Sequence, residues 1–418
     1  MNERLLQFIW QFQYFNKSEL CTDTEEKVQI IFPGHYNTDQ GPDFKAAKIR
    51  VGKTIWAGNI ELHIKTSDWD KHLHQFDSNY NNVILHIVWE HDIARSDIPV
   101  IELKNRVSKL LLARYERLMQ TAAFIPCENN CADVPKVIWK NWKDRLMVER
   151  LSAKTQLTLN LLQQNNFHWE EVFWWLLARN FGTKINADIF ESIAKTIPSN
   201  ILYRHKNNLQ QLEALILGQA GLLDENFTDL YPLLLHRDYQ FYKHKYNLTP
   251  VHTKPFFLRM RPVNFPTIRL AQLAMLIHQS DRLFTLVKEC SSLSTIKKVF
   301  NVTAGKYWDD HYVLNEVAVN IKKQVGDAMI CNIIINTIIP MLFAYGTFYN
   351  NEAYKLKGLQ LLEEIKAEHN NITTGFEKLG IENKTAIDSQ ALIELKKEYC
   401  DKHRCLECGI GTHLLRRK

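Results

Sequence analysis

The stretch Gly41–Asp92, GPDFKAAKIRVGKTIWAGNIELHIKTSDWDKHLHQFDSNYNNVILHIVWEHD, decides how this chain is read. Within it, Asn59-Ile-Glu-Leu-His-Ile-Lys65 alternates apolar and polar residues, which is the period of a strand. Ile60, Leu62 and Ile64 point to a core, while Glu61, His63 and Lys65 form a row on the other face. The plain alternative is a solvated polar face. Upstream, Asp43 follows the turn signature Gly41-Pro42 and opens a strand-like run through Lys48–Val51. A hairpin at Gly52-Lys53 returns the chain through Thr54–Ala57 to Glu61, so antiparallel pairing predicts that Asp43 and Glu61 meet. Two adjacent carboxylates repel. A hard divalent cation such as Mg²⁺ or Mn²⁺ relieves that repulsion, polarises a phosphate and acidifies an attacking water.

Downstream, Ser67-Asp68 reads as a helix cap ahead of Trp69–Asp77. His72, His74, Asp77 and His86 follow, and neutral imidazoles suit Zn²⁺ or Mn²⁺. Two histidines at i and i+2 of a regular helix diverge, so His72 and His74 converge only if the segment is irregular. His86, in the apolar strand Val83–Val88, also reads as a satisfied core histidine.

An Asp after Gly-Pro, a hairpin and then Glu-x-polar resembles the PD-(D/E)XK nuclease superfamily. The resemblance implies a restriction-endonuclease-like α/β fold with Asp43 and Glu61 as metal ligands. The chain departs from the pattern in placing His63 in the lysine slot. His63 is then a base or a ligand, or Lys65 does the lysine's work. Glu3 is the early candidate for a further acid on the first helix. Over the whole chain, GPDF, WAGNIELHIKTSDW, YNNVILHIVWEHD, EALILGQAGLL, RMRPVNFPTIRLAQLA and CLECGIG resemble a large Bacteroidetes-type family of unknown function.

The remaining composition is ordinary for a globular protein: 418 residues, 45% hydrophobic and 23% charged, enough for two or three cores. The formal net charge of +6 is compatible with a polyanionic partner without identifying one. The start MNERLLQFIWQF does not read as a signal peptide. The apolar run Ala328–Phe348 approaches membrane-spanning length, but Asn332, Asn336 and Pro340 interrupt it, so it reads as a buried helix. The expectation is a cytoplasmic protein with reduced cysteines and no membrane association.

Strand-like segments dominate residues 27–104, and helical periodicity dominates from Val137 onward. The loop Ile125–Pro135 marks the boundary. The fold class expected is α/β (or α+β) for residues 1–125, followed by a larger all-α domain over 135–418. Within the helical part, Arg237, Lys243, Lys245, Arg259, Arg261 and Arg269 interleave with tyrosines, a pattern suited to DNA or RNA.

At the far end, Cys400, Cys405 and Cys408 give C-x4-C-x2-C, which in a reducing compartment points to metal. His403 or His413 completes a Zn²⁺ site locally, or Cys127 or Cys131 closes it from far upstream. The last arrangement resembles iron–sulfur nucleases in which one upstream and three C-terminal cysteines hold a [4Fe–4S] cluster. Three functions stand open: a metal-dependent nuclease, a nuclease-like fold kept as a nucleic-acid or protein-binding module, and a histidine-based metal hydrolase of another substrate.

Overall fold

The computed structural model describes residues 1–37, 40–94, 97–120, 123–224, 226–258, 260–280 and 282–416. The chain divides into two compact units. One comprises Met1–Trp142, Gly375–Ile381 and Ile393–Lys418; the other comprises Lys143–Thr374 and Glu382–Leu392. The N-terminal part is thus a mixed sheet with helices, followed by a mostly helical region, in agreement with the α/β and then all-α reading.

The sheet unit opens with helix α1 (Glu3–Gln11), capped by the Asn2 side chain, which accepts from Leu5 N–H. Leu5, Leu6, Phe8, Ile9 and Trp10 are buried against the sheet unit's core, the recurrence expected of an amphipathic helix. Strands β1 (Val28–Phe32), β2 (His35–Tyr36), β3 (Phe44–Val51), β4 (Thr54–Lys65), β5 (Val83–Glu90) and β6 (Val100–Glu102) form one sheet. Its order is β1-β3-β4-β5-β6, with β2 also paired to β3. The pairs β1/β3, β2/β3 and β3/β4 are antiparallel, whereas β4/β5 and β5/β6 are parallel. The parallel return from β4 to β5 needs a crossover. It contains the short helix α2 (Asp68–Lys71) and two 3₁₀ turns, His74–Phe76 and Ser78–Tyr80.

Strand β4 lies centrally, and Ile60, Glu61, Leu62 and His63 are all buried, so both of its faces are covered. Gly58 permits the close approach of β5's entry. A Cβ there would stand 2.4 Å from Ile84 Cγ2 and 2.6 Å from the Asn82 carbonyl oxygen. Helix α3 (Lys109–Gln120) follows β6, and the C-terminal helix Gly409–Arg416 packs against it. The Arg416 guanidinium lies 4.1 Å from the Phe12 ring centroid, and Trp142 meets Tyr399 edge-on at 5.3 Å.

Helix α4 (Lys136–Gln164) leads into the helical unit. There follow α5 (Trp169–Phe181), α6 (Thr183–Thr196), α7 (Ser199–His205), α8 (Leu209–Gln219), α9 (Leu230–Tyr246) and α10 (Pro266–Gln279). Pro266 takes the first turn of α10, where a missing N–H costs nothing. The helical stretch Asp327–Phe348, apolar enough by length and composition to cross a membrane, includes a π-helical segment at Ile334–Ile338. Its Ile333, Ile334, Ile338, Ile339 and Leu342 are fully buried in the helical unit's core.

Candidate metal centre

The hairpin predicted from Gly52-Lys53 is present, but a regular hairpin would misplace Asp43. Continued unbroken from Ala47↔Gly58, the register would set Asp43 opposite Leu62. Instead a register shift between Phe44 and Ala47 pairs Phe44 with Ile60. Ala46, at φ 56°, takes the left-handed conformation within this bulge. A one-residue slip exchanges the two faces of a strand, so the bulge brings Asp43 opposite Glu61.

The two acids are then tied by the backbone. Asp43 N–H donates to Glu61 Oε2 at 2.9 Å, and Leu62 N–H donates to Asp43 Oδ2 at 3.1 Å. The second Asp43 oxygen accepts from Gln7 Nε2 on α1 at 2.8 Å, and Tyr36 donates its hydroxyl to Gln7 Oε1 at 3.2 Å. Burial pushes both carboxyls above their ordinary range, and for Glu61 the negative charge of Asp43 adds to the effect.

The histidines meet on the other side of Glu61. Helix α2 stops at Lys71, Leu73 turns left-handed at φ 59°, and His74 begins a 3₁₀ turn. This break is the irregularity that convergence requires. Ligand nitrogens of His63, His72 and His74 lie within 4.8 Å of one another. His63 Nε2 stands 3.0 Å from His72 Nδ1 and 3.6 Å from Glu61 Oε1, and His74 Nε2 is 3.5 Å from the same oxygen. Ligands around a tetrahedral ion at about 2.1 Å are separated by about 3.4 Å, so these spacings suit one ion.

His74 Nε2 is a buried atom with no hydrogen-bond partner among the described residues, and it faces the Glu61 carboxylate. His63 is 1% exposed, and burial together with the neighbouring imidazoles pushes its pKa down to about 2. It is therefore neutral, the form in which imidazole binds metal. Its Nδ1 is hydrogen-bonded at 2.8 Å to Nε2 of the fully buried His86, an outer contact that orients the ring. Tyr80 stacks on His74 at 3.8 Å between ring centroids. His72 is exposed, so the cluster opens to solvent at that residue. Neutral imidazoles with a carboxylate are a donor set for Zn²⁺ or Mn²⁺.

Three candidates from the sequence are placed elsewhere. Lys65 is exposed at the end of β4, where its charge lowers the pKa of Asp92; no hydrogen bond or ion pair among the described residues ties it to Asp43 or Glu61. Glu3 acts on both acids only through its charge, raising each. Ser67 does not cap α2 with its hydroxyl, which donates to Asp92 Oδ2 at 2.7 Å. The part of Gln7 had no sequence signal, since nothing local distinguishes an exposed glutamine from one reaching a strand turn.

The cysteines form a second cluster in the sheet unit. Cys127, Cys400, Cys405 and Cys408 are free and buried. Lys396 stands over the Phe124 ring at 5.2 Å, and a Cβ on Gly409 would lie 2.8 Å from the Trp142 ring, so the 124–142 and 396–409 segments pack together. Burial raises the Cys127 and Cys400 thiols strongly, and in each case the next cause is the charge of Cys408. Cys131 turns aside and donates its S–H to the Glu128 carbonyl at 3.3 Å. His403 is exposed.

In the helical unit, Arg237 is exposed on α9 and paired with Asp238, and Lys243 and Lys245 occupy that helix's last turn. Arg261 is exposed, and Arg259 lies outside the described residues. Arg269 does not belong to an exposed basic face: it is buried within α10.

Comparison with curated proteins and with solved structures finds no match. A family model matches residues 3–371, and the chain belongs to the family described as Protein of unknown function (DUF2851).

Proposed function

We propose that this chain is a metal-dependent phosphodiesterase acting on DNA or RNA, with its ion held on the histidine side of Glu61. The observation that carries the reading is the approach of His63 Nε2 and His74 Nε2 to one oxygen, Glu61 Oε1, at 3.6 and 3.5 Å, with the buried His74 nitrogen otherwise unpartnered among the described residues. The ion acidifies a bound water and polarises the phosphate. Asp43 fixes the free oxygen of Glu61 through its backbone and offers a carboxylate to a second, harder cation such as Mg²⁺. His72 stands at the mouth as an exchangeable ligand. Phe76, 81% exposed two residues from His74, offers a face on which an unpaired base stacks. The resemblance to PD-(D/E)XK nucleases supports the substrate class, and the basic end of α9 supports a polyanionic partner.

The histidine-rich donor set, with Lys65 exposed and not tied to either acid among the described residues, also favours a second reading, a Zn²⁺ or Mn²⁺ hydrolase of another substrate. A third, a binding module without catalysis, is favoured by the hydrogen bonds that already occupy both Asp43 oxygens. Cleavage of labelled single- and double-stranded DNA and RNA with Mg²⁺, Mn²⁺ or Zn²⁺ separates them. Cutting lost in Glu61→Gln and His74→Ala supports the nuclease. Metal retention without cutting or nucleic-acid binding sinks it in favour of another substrate. Binding without cutting favours the module.

For the cysteines, the proposal is a structural metal centre, Zn²⁺ or [4Fe–4S], held by Cys127, Cys400, Cys405 and Cys408. Buried thiols that raise one another's pKa are costly to ionise, and a soft cation relieves that cost. The purified protein then carries zinc, or iron with acid-labile sulfide and visible absorbance. Protein free of both metals, purified without exposure to air, would rule the centre out.

A further inference from the structure

Arg269, one turn into α10, is 7% exposed. Its Nη1 donates to Gln272 Oε1 at 2.9 Å and its Nη2 to Asn264 Oδ1 at 2.5 Å, both neutral amides. Its Nε is buried and has no hydrogen-bond partner among the described residues. Burial pulls its pKa down, and no carboxylate among the described residues forms an ion pair with it. A buried cation without a counter-charge is costly, and the guanidinium retains unused donors suited to an oxyanion.

Arg269 lines a cavity of about 500 Å³, within the range of small-molecule sites. Lys184, Asn180, Asn264 and Asn332 also line it, and no carboxylate does among the described residues. Arg179 stands on the wall but is engaged by Asp188 and Glu191 at 2.5 and 2.7 Å. Lys184 is exposed and forms no ion pair among the described residues. The first turn of α6, whose N–H groups have no helical acceptors, contributes Thr183 and Lys184. The π-helical segment supplies Asn336 and Thr337, and such irregular turns recur at functional sites.

We infer that this cavity binds a small phosphate ester of mononucleotide size, with Arg269 as the buried anchor and Lys184 at its mouth. Two unmatched cations suit a phosphate dianion better than a single carboxylate, which would leave one of them uncompensated. The site lies wholly within the helical unit and is independent of the reading of Asp43, Glu61 and the histidines.

The test is calorimetric and thermal-shift titration of the full chain with inorganic phosphate, adenosine monophosphate, adenosine and acetate. The expected result is binding of phosphate and the monophosphate, and none of adenosine or acetate. Lys184→Gln then weakens the monophosphate by at least about 10-fold, the scale of one charged hydrogen bond. Ala187→Phe, which fills the cavity, abolishes binding, and so does Arg269→Gln where circular dichroism shows it folded. Adenosine binding as well as its monophosphate would overturn the inference. So would an unchanged affinity in Lys184→Gln and Ala187→Phe, or no binding of either phosphate probe at millimolar concentration.

Discussion

Asp43 donates its backbone N–H to the carboxylate of Glu61 at 2.9 Å, and accepts in its own carboxylate the N–H of Glu61's neighbour, Leu62. Each acid is thereby held by the other's strand, and neither can swing out to solvent alone. The buried pair has pKa values pushed up to about 6 for Asp43 and about 9 for Glu61.

A pH dependence follows from that elevation. Above the ordinary carboxyl range the unfolded chain releases these protons while the metal-free fold keeps them, so the folded state binds more protons and stability falls as pH rises. The carboxyls' share of the fall begins near pH 4 and continues until they ionise in the fold, between about pH 6 and 9. His63, held neutral, works the other way until the unfolded imidazole loses its proton at about pH 6.5, so the net fall is read above that. Metal-free protein therefore melts at a lower temperature at pH 8.5 than at pH 6.5, and Glu61→Gln flattens the slope. Added Mn²⁺ raises the melting temperature most at the alkaline end, because it replaces the protons. A melting temperature that climbs across this window in metal-free protein contradicts the account.

Ligand removal should be graded. His63→Ala and His74→Ala remove donors and lower Zn²⁺ or Mn²⁺ affinity by at least about 100-fold. His86→Phe, which removes the partner of His63 Nδ1 and leaves the ligands in place, lowers it by about 10–100-fold. Equilibrium dialysis against each metal checks the ranking, and a neutral His74→Ala would move the ion away from the histidines.

Leu73 is 58% exposed yet held at φ 59°, a strained conformation for a leucine. Leu73→Gly removes the strain at little packing loss and should stabilise the fold by about 0.5–1 kcal/mol after the added unfolded-state entropy is set against it. The same variant keeps its metal affinity, since His72 and His74 still flank the turn. Urea midpoints for wild type and variant read the difference.

Gly218 lets α8 lie against α9. A Cβ there would stand 2.2 Å from the Tyr239 ring, closer than side chains approach. Gly218→Ala should destabilise the helical unit by about 2 kcal/mol or more despite alanine's better helix propensity. A thermal melt that is unchanged would show that Tyr239 gives way freely.

If α9 contacts nucleic acid, Lys243→Gln and Lys245→Gln should each lower the salt slope of binding by about one unit, uniformly across sequences. Fluorescence anisotropy over a salt series measures that slope.

Much of the sheet was legible because its strands carry a period of two. The meeting of Asp43 and Glu61 was anticipated for an incomplete reason: the hairpin alone would set Asp43 opposite Leu62, and the left-handed turn at Ala46, which no residue type advertises, corrects the register. The convergence of His72 and His74 was foreseen as conditional on an irregular segment, and the condition is met at Leu73. Lys65 illustrates the converse. Strand alternation gives a residue's face but not how far the cover of the sheet extends, and at Lys65 that cover has ended. Arg269 was indistinguishable from its basic neighbours because charge is read locally, whereas burial is decided by helices distant in sequence.

The sheet unit is assembled from chain segments separated by the helical unit, and this sets an order of events during synthesis. The strands and α1 leave the ribosome early, but Tyr399, Cys400–Cys408 and the helix that seats Arg416 on Phe12 arrive only after the helical residues up to Leu392 have been made. Until then the face that receives them stays open, and the nascent sheet waits on its own distant continuation. A fragment ending at Trp142 would expose that face permanently, so trimming at the C-terminus should damage the N-terminal half of the molecule.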